Sequence, residues 1–221
     1  MLLNLFRSGD FATAMLTLLL TLPTILLALS LHEAAHGYVA YKCGDPTAKA
    51  LGRLTLNPLK HLDPMGTVLM LLTGYGWAKP VPINTRYFKN PKKGMALTAL
   101  AGPVMNLILG LIGALVYAML CRFLGSSDSS LVTAALLFFY YFAVLNVTYA
   151  VFNLIPLPPF DGSRVLLLFL PTKWYFGIMK YERVIMVIIL IGMATGYFWT
   201  PIRAISDVLI DALMKLAFLI F

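Results

Sequence analysis

An all-α, polytopic membrane protein is the fold class predicted by three features of the sequence: its composition, the length of its uncharged runs and the placement of its cations. Of 221 residues, 60% are hydrophobic and only 12% are charged, and the mean hydropathy is +0.85. A chain of that kind has too little polar surface to cover a soluble domain. Uncharged runs at residues 11–31, 95–121, 129–160 and 184–202 each supply the roughly 20 apolar residues that a helix needs to cross the hydrocarbon core. A last run, residues 204–221, carries Asp207, Asp211 and Lys215, so it is expected to keep one side wet or turned to the bundle. The expectation is one domain over residues 1–221, a bundle of about five transmembrane helices.

The net charge of +8 invites a nucleic-acid partner, yet the cations fall in loops rather than on one helix face. Lys42, Lys49, Arg53 and Lys60 follow the first run. Lys79, Arg86, Lys89, Lys92 and Lys93 precede the second, and Arg164, Lys173, Lys180 and Arg183 lie between the third and fourth. Membrane orientation accounts for this pattern, with these loops cytoplasmic and the Arg122–Ser130 connection on the other side. The bilayer, not nucleic acid, is the expected partner. Alternating spans then put the C-terminus in the cytoplasm and the N-terminus outside, with Arg7 against the latter. The first run is longer than a signal-peptide core and lacks a convincing cleavage site, so it reads as a retained helix. Cys43 and Cys121 are the only cysteines; they are expected near opposite faces, with no disulfide and no CxxC metal site.

Residues 65–78 are apolar but too few to cross, which predicts a re-entrant or interfacial segment. It leads into Gly74-Tyr75-Gly76-Trp77-Ala78-Lys79-Pro80-Val81-Pro82-Ile83-Asn84, where two prolines exclude a helix. In an extended chain, Pro80 and Pro82 blank one edge while Val81 and Ile83 keep donors on the other. A short β-like strand that accepts an unwound substrate, or a rigid interfacial loop, fits equally.

The chemistry concentrates in His32-Glu33-Ala34-Ala35-His36, which uses two of three histidines and directly follows the first apolar run. On a helix, residues four apart share a face, so both imidazoles can hold one zinc ion. Glu33 is rotated from them and suits a general base acting on water. A catalytic zinc takes a third protein ligand, for which Glu182, Asp161, Asp63 and His61 are candidates. Asp161 is preferred, because it ends the third run just after Pro156, Pro158 and Pro159, which stop the helix and turn the carboxylate back. Its bland alternative is a helix N-cap. His61 reads as a loop or cap residue, and Glu182 as an interfacial charge. Gly102, Asn106 and Gly110 form a small-residue stripe that admits a neighbouring helix, on which Asn106 could be a helix–helix hydrogen bond.

These residues resemble the site-2 proteases, which are intramembrane zinc metalloproteases. The resemblance rests on His32–His36, on Ala101-Gly102-Pro103 with Asn106, and on Asn153 through Asp161-Gly162, where Phe160 replaces the usual Leu or Met. Gly52–Pro58, His61, Asp63-Pro64 and Gly76–Pro82 are similar to the short bacterial branch without PDZ or CBS domains. Many members have a further span before the zinc-binding helix. The resemblance implies one zinc ion per chain on His32, His36 and Asp161, with Glu33 as catalytic base. It implies that Asn106 and Asn153 orient substrate or stabilise the oxyanion, and that Gly76, Val81 and Ile83 lie on the substrate edge. It also implies a multi-pass protein of a bacterial cell membrane, an active site toward the cytoplasm, and membrane-anchored protein substrates. Alternatives are an inactive scaffold, a zinc transporter, or the prenyl-protein protease type with Glu182 as third ligand. No feature of the sequence sets the oligomeric state.

Overall fold

The computed structural model describes residues 11–73 and 76–221. Residues 1–10, with Arg7, and Gly74 and Tyr75 of the proline-containing segment lie outside the described residues. Helix α1 (Phe11–Lys42) continues past the apolar run and carries the histidines in its second half. The hydroxyls of Thr21, Thr24 and Ser30 donate to carbonyls four residues back at 2.7, 3.1 and 2.6 Å. Their polarity is thereby spent inside the helix, as an apolar solvent requires.

After a short α2 (Thr47–Ala50) and a 3-10 turn (Pro58–Lys60) comes α3 (Pro64–Thr73). Ten residues rise only about 15 Å, half the hydrocarbon thickness. Ala78 then pairs with Leu62 in an antiparallel bridge, so the segment goes in and comes back, as expected of a re-entrant element. Gly66 and Gly76 make the return possible, since a Cβ on either would overlap backbone of the opposite limb. Beyond Ala78 the segment is an extended loop. The single bridge is the only β pairing among the described residues.

Two long helices follow a 3-10 turn (Thr85–Tyr87): α4 (Pro91–Leu124) and α5 (Ser130–Asn153). Helix α4 is the centre of the bundle and packs against α1, α5 and, further along, α6 (Asp161–Val165) and α9 (Trp199–Ile220). Within lipid, burying apolar groups gives little drive, and close approach of small residues takes its place. Accordingly, a Cβ on Gly110 would press Val147 and one on Gly113 would press Ala143. Ala114, Ala118, Ala143 and Ala217 form one buried cluster, and Val147, Val151, Ile202 and Ile210 another.

The all-α membrane class holds, whereas the direction expected of the last span is corrected. Among the described residues three helices are long and apolar enough to cross: α1 from Met15, α4 and α5. The expected run 184–202 is not one helix. It is divided into α8 (Glu182–Ala194), at 13 residues too short to cross, a turn with Gly196 at φ +85°, and the start of α9. Such a φ is free for glycine and costly for other residues. A hydropathy run does not register one glycine turn, which is why the sequence suggested a crossing. α7 (Thr172–Met179) precedes α8.

Helix α9 is 22 residues long and bears Arg203, Asp207, Asp211 and Lys215 along one exposed stripe. Its first residue, Trp199, stacks on Phe152 near the end of α5, and Phe218 meets Tyr117 in the second half of α4. It therefore runs antiparallel to α5, away from the end of the bundle where α5 stops. The expected last span ran the other way.

Candidate metal centre

Three elements distant in sequence meet at that end of the bundle. Helix α1 brings His32 and His36, both 6% exposed, and the chain after α5 brings Asp161. The prolines after Asn153 let α5 end there, with Leu154 as its C-cap, and turn the chain into α6, whose N-cap is Phe160. Asp161 is thus not the capping residue; its carboxylate goes to the histidines. Gly162 lies so close to the Leu154 and Ile155 carbonyls that no side chain fits there, which fixes where the neighbouring Asp161 stands.

His32 Nε2 and His36 Nε2 are 2.9 Å apart, and Asp161 Oδ2 is 3.1 Å and 3.2 Å from them. Each Nδ1 faces an oxygen acceptor, His32 donating to Asn106 Oδ1 at 2.8 Å and His36 to the Thr98 carbonyl at 2.6 Å. With the protons held on Nδ1, both neutral rings turn Nε2 lone pairs inward. Two lone pairs and a carboxylate oxygen thus converge with no donor among them. One proton can bridge only one of the three contacts, whereas a single cation satisfies all three.

The spacing fits a small divalent ion, because a tetrahedron with bonds of about 2.0–2.1 Å has edges of roughly 3.3 Å. Among the described residues these three form a group that could hold a metal ion.

Helix α4 backs the group. A Cβ on Gly102 would come within 2.5 Å of His32 Cε1 and His36 Nε2, so the small-residue stripe that lets helices approach also makes room for the imidazoles. Asn106, 1% exposed, is the hydrogen bond between α4 and α1 that holds the His32 ring.

Glu33 is also buried, and its Oε2 accepts from the Val81 N–H at 2.8 Å. The extended segment is tied down on both sides of that contact. Lys79 N–H donates to the His61 carbonyl at 2.8 Å, and Arg53 Nη2 donates to the Lys79 carbonyl at 2.7 Å. Asn84 N–H donates to Asp45 Oδ2 at 2.6 Å, while Asp45 Oδ1 accepts from the Thr47 amide and hydroxyl. Burial would raise the Asp45 carboxyl, yet these donors hold it below its ordinary value.

Of the residues singled out in the sequence, His32, His36 and Asp161 meet, Asn106 supports His32, and Glu33 and Val81 touch each other. Ile83 is half-buried in the same segment and Gly76 packs on Gly66. Asn153 is elsewhere, its amide donating to the Tyr149 carbonyl of its own helix at 2.9 Å. His61 is 1% exposed and bonds the Thr55 carbonyl through Nε2 at 2.8 Å. Thr98, Arg53 and Asp45 were not foreseen as parts of the site. A backbone acceptor such as Thr98 O leaves no trace in residue type. Arg53 and Asp45 carried the only available hint, being charged residues that turn out buried in a loop.

Fold and site together define a helical membrane protein that gathers two helix histidines and an aspartate into one group that could hold a metal ion. Residues 123–198 match the model of Peptidase family M50. The chain is 48% identical over 143 residues to YwhC of Bacillus subtilis (strain 168), named as a candidate zinc metalloprotease, covering 65% of each chain. It is 32% identical over 147 residues to Rip2 of Mycolicibacterium smegmatis, named likewise, covering 64% of this chain and 53% of that protein. It is 29% identical over 160 residues to the zinc metalloprotease MJ0392 of Methanocaldococcus jannaschii, covering 72% of this chain and 36% of that one. The chain thus spans roughly half to two thirds of the length of the first two relatives. No solved structure matches it. Residues 123–198 thus carry the match to Peptidase family M50, the site-2 protease domain, and the chain is similar over 65% of its length to a named zinc metalloprotease.

Proposed function

We propose that this protein is a zinc-dependent endopeptidase that cuts the transmembrane segment of membrane-anchored proteins, with Glu33 as general base. The observation that carries this reading is the convergence of His32 Nε2, His36 Nε2 and Asp161 Oδ2 within 3.2 Å of one another, next to a buried carboxylate. These three residues would hold the ion. Bound there, zinc supplies Lewis acidity toward water and a peptide carbonyl.

Glu33 takes the proton from the attacking water and delivers it to the departing amine. It lies on the same helix as two ligands but on another side, which leaves its oxygens free of the ligand set. Val81 N–H holds Oε2 and leaves Oε1 for the proton. Asn106 and the Thr98 carbonyl keep the imidazoles turned inward. Burial of the group excludes bulk water, strengthening each electrostatic contact.

Substrate approaches along residues 76–84. Val81 N–H is engaged with Glu33, so an added strand pairs with the Val81 carbonyl and with Ile83. Asn153 serves substrate beyond this edge only if its amide leaves Tyr149. The cation-rich loops on this side of the bundle are cytoplasmic, and the membrane is that of a bacterial cell.

Membranes containing wild type or Glu33→Gln, compared by sequencing of new N-termini, test the reading. Cuts within apolar segments are expected in wild type only, with the same uncut proteins retained on the variant. An unchanged set of such cuts in Glu33→Gln overturns the assignment.

A further inference from the structure

A second site lies where α1 ends and α4 begins. A cavity of about 270 Å³ opens there between Lys42, Lys89 and Lys93, with Phe88 and Leu97 in its lining. Phe88 is buried and forms an apolar floor, its ring packed under Gly94 where a Cβ would collide. Lys42 is the last residue of α1, and Lys93 is in the first turn of α4. The ammonium of Lys42 sits 5.4 Å from the centre of the Tyr38 ring. Among the described residues no carboxylate pairs with any of these lysines. Three exposed lysines thus line one cavity without a counter-ion, and an anion placed there is attracted by all three.

What lies below the lysines decides which anion. One turn into the bilayer from Lys93 is Leu97, 54% exposed, and one turn in from Lys42 is Tyr38, 55% exposed. A ligand whose charged group rests on the lysines therefore meets an outward-facing apolar wall directly beneath it. Soluble phosphate has nothing to place there, whereas a phospholipid has acyl chains. Basic pockets between transmembrane helices are suited to anionic headgroups.

We infer that the cavity of Lys42, Lys89 and Lys93 binds the phosphate of an anionic phospholipid, with the acyl chains lying along Leu97 and Tyr38. This holds whether or not the metal centre is a protease, and its test uses no cleavage. The full chain in detergent is titrated with dioleoylphosphatidylglycerol or dioleoylphosphatidylcholine, and bound lipid is counted by native mass spectrometry. Phosphatidylglycerol is expected to be retained in preference. The affinity should fall more than about tenfold in Lys42→Ala/Lys89→Ala/Lys93→Ala, since each surface lysine contributes roughly fivefold. The equal-charge control Lys49→Ala/Lys60→Ala/Lys180→Ala should bind as wild type does. Single Lys93→Glu, which changes two units of charge instead of three, should also lose more than about tenfold. Equal retention of the two lipids overturns the proposal, as does an equal loss in the control, which signals diffuse attraction. Displacement of phosphatidylglycerol by millimolar inorganic phosphate alone points to a soluble ligand and overturns it too.

Discussion

Gly102 shows how little room a functional side chain can leave. Its Cα faces both imidazoles, and a methyl group there enters the volume of His32 and His36. Gly102→Ala should therefore lose metal by more than tenfold in affinity while the bundle persists, measured by competition with a chelator. Asn106 acts through a ring rather than on the ion, and such outer partners are worth about 10–100-fold in metal affinity. Asn106→Ala should fall in that range, Asn106→Asp should keep most binding because it still accepts from Nδ1, and Asn153→Ala should change nothing. Asp45 belongs to stability. Removing its carboxylate strands the Asn84 and Thr47 donors, at about 1–3 kcal/mol each if they find no water. Its pKa is depressed on folding, so its contribution is complete above the unfolded value of about 4 and is lost as pH falls through the lower folded value. Melting temperatures of Asp45→Ala and wild type should differ at pH 7 and draw together in acid.

Among the elements, α1, α4 and α5 were legible in the sequence because a span is a length of uncharged residues, and length survives without knowledge of tertiary contacts. The re-entrant segment was legible by the same measure, since it was too short to cross. Its return was not, because Leu62 and Ala78 pair through backbone. The histidines announced themselves by spacing, and Asp161 by ending a long uncharged run. The Val81–Glu33 contact could not be read, because an amide donor has no residue identity. Helices α8 and α9 were misplaced because one glycine turn inside an apolar stretch outweighs the hydropathy around it. Arg53 ties the extended segment in place through the Lys79 carbonyl. Hydrogen exchange at Lys79 and Val81 should accordingly speed up in Arg53→Ala, with the α4 and α5 amides unchanged; uniform protection across the two proteins would show that the arginine is not the tie.

At the scale of the whole molecule, the direction of α9 sets where the described chain emerges. In a background without Cys43 and Cys121, single cysteines at Ser127 and Phe221 should label from the same side of the membrane, and one at Lys60 from the opposite side. Labelling of Phe221→Cys together with Lys60→Cys would restore the orientation expected from hydropathy. The fold's principal achievement is to close a contact between residues 129 apart in sequence, His32 and Asp161, inside the bundle. The most direct test of that centre is the zinc content of the purified chain beside its His36→Ala and Asp161→Ala variants. About one zinc per wild-type chain, lost or sharply reduced in both variants, is the expected result. A folded wild type that takes up no zinc when it is supplied, or an Asp161→Ala protein that binds it undiminished, would contradict the His–His–Asp centre.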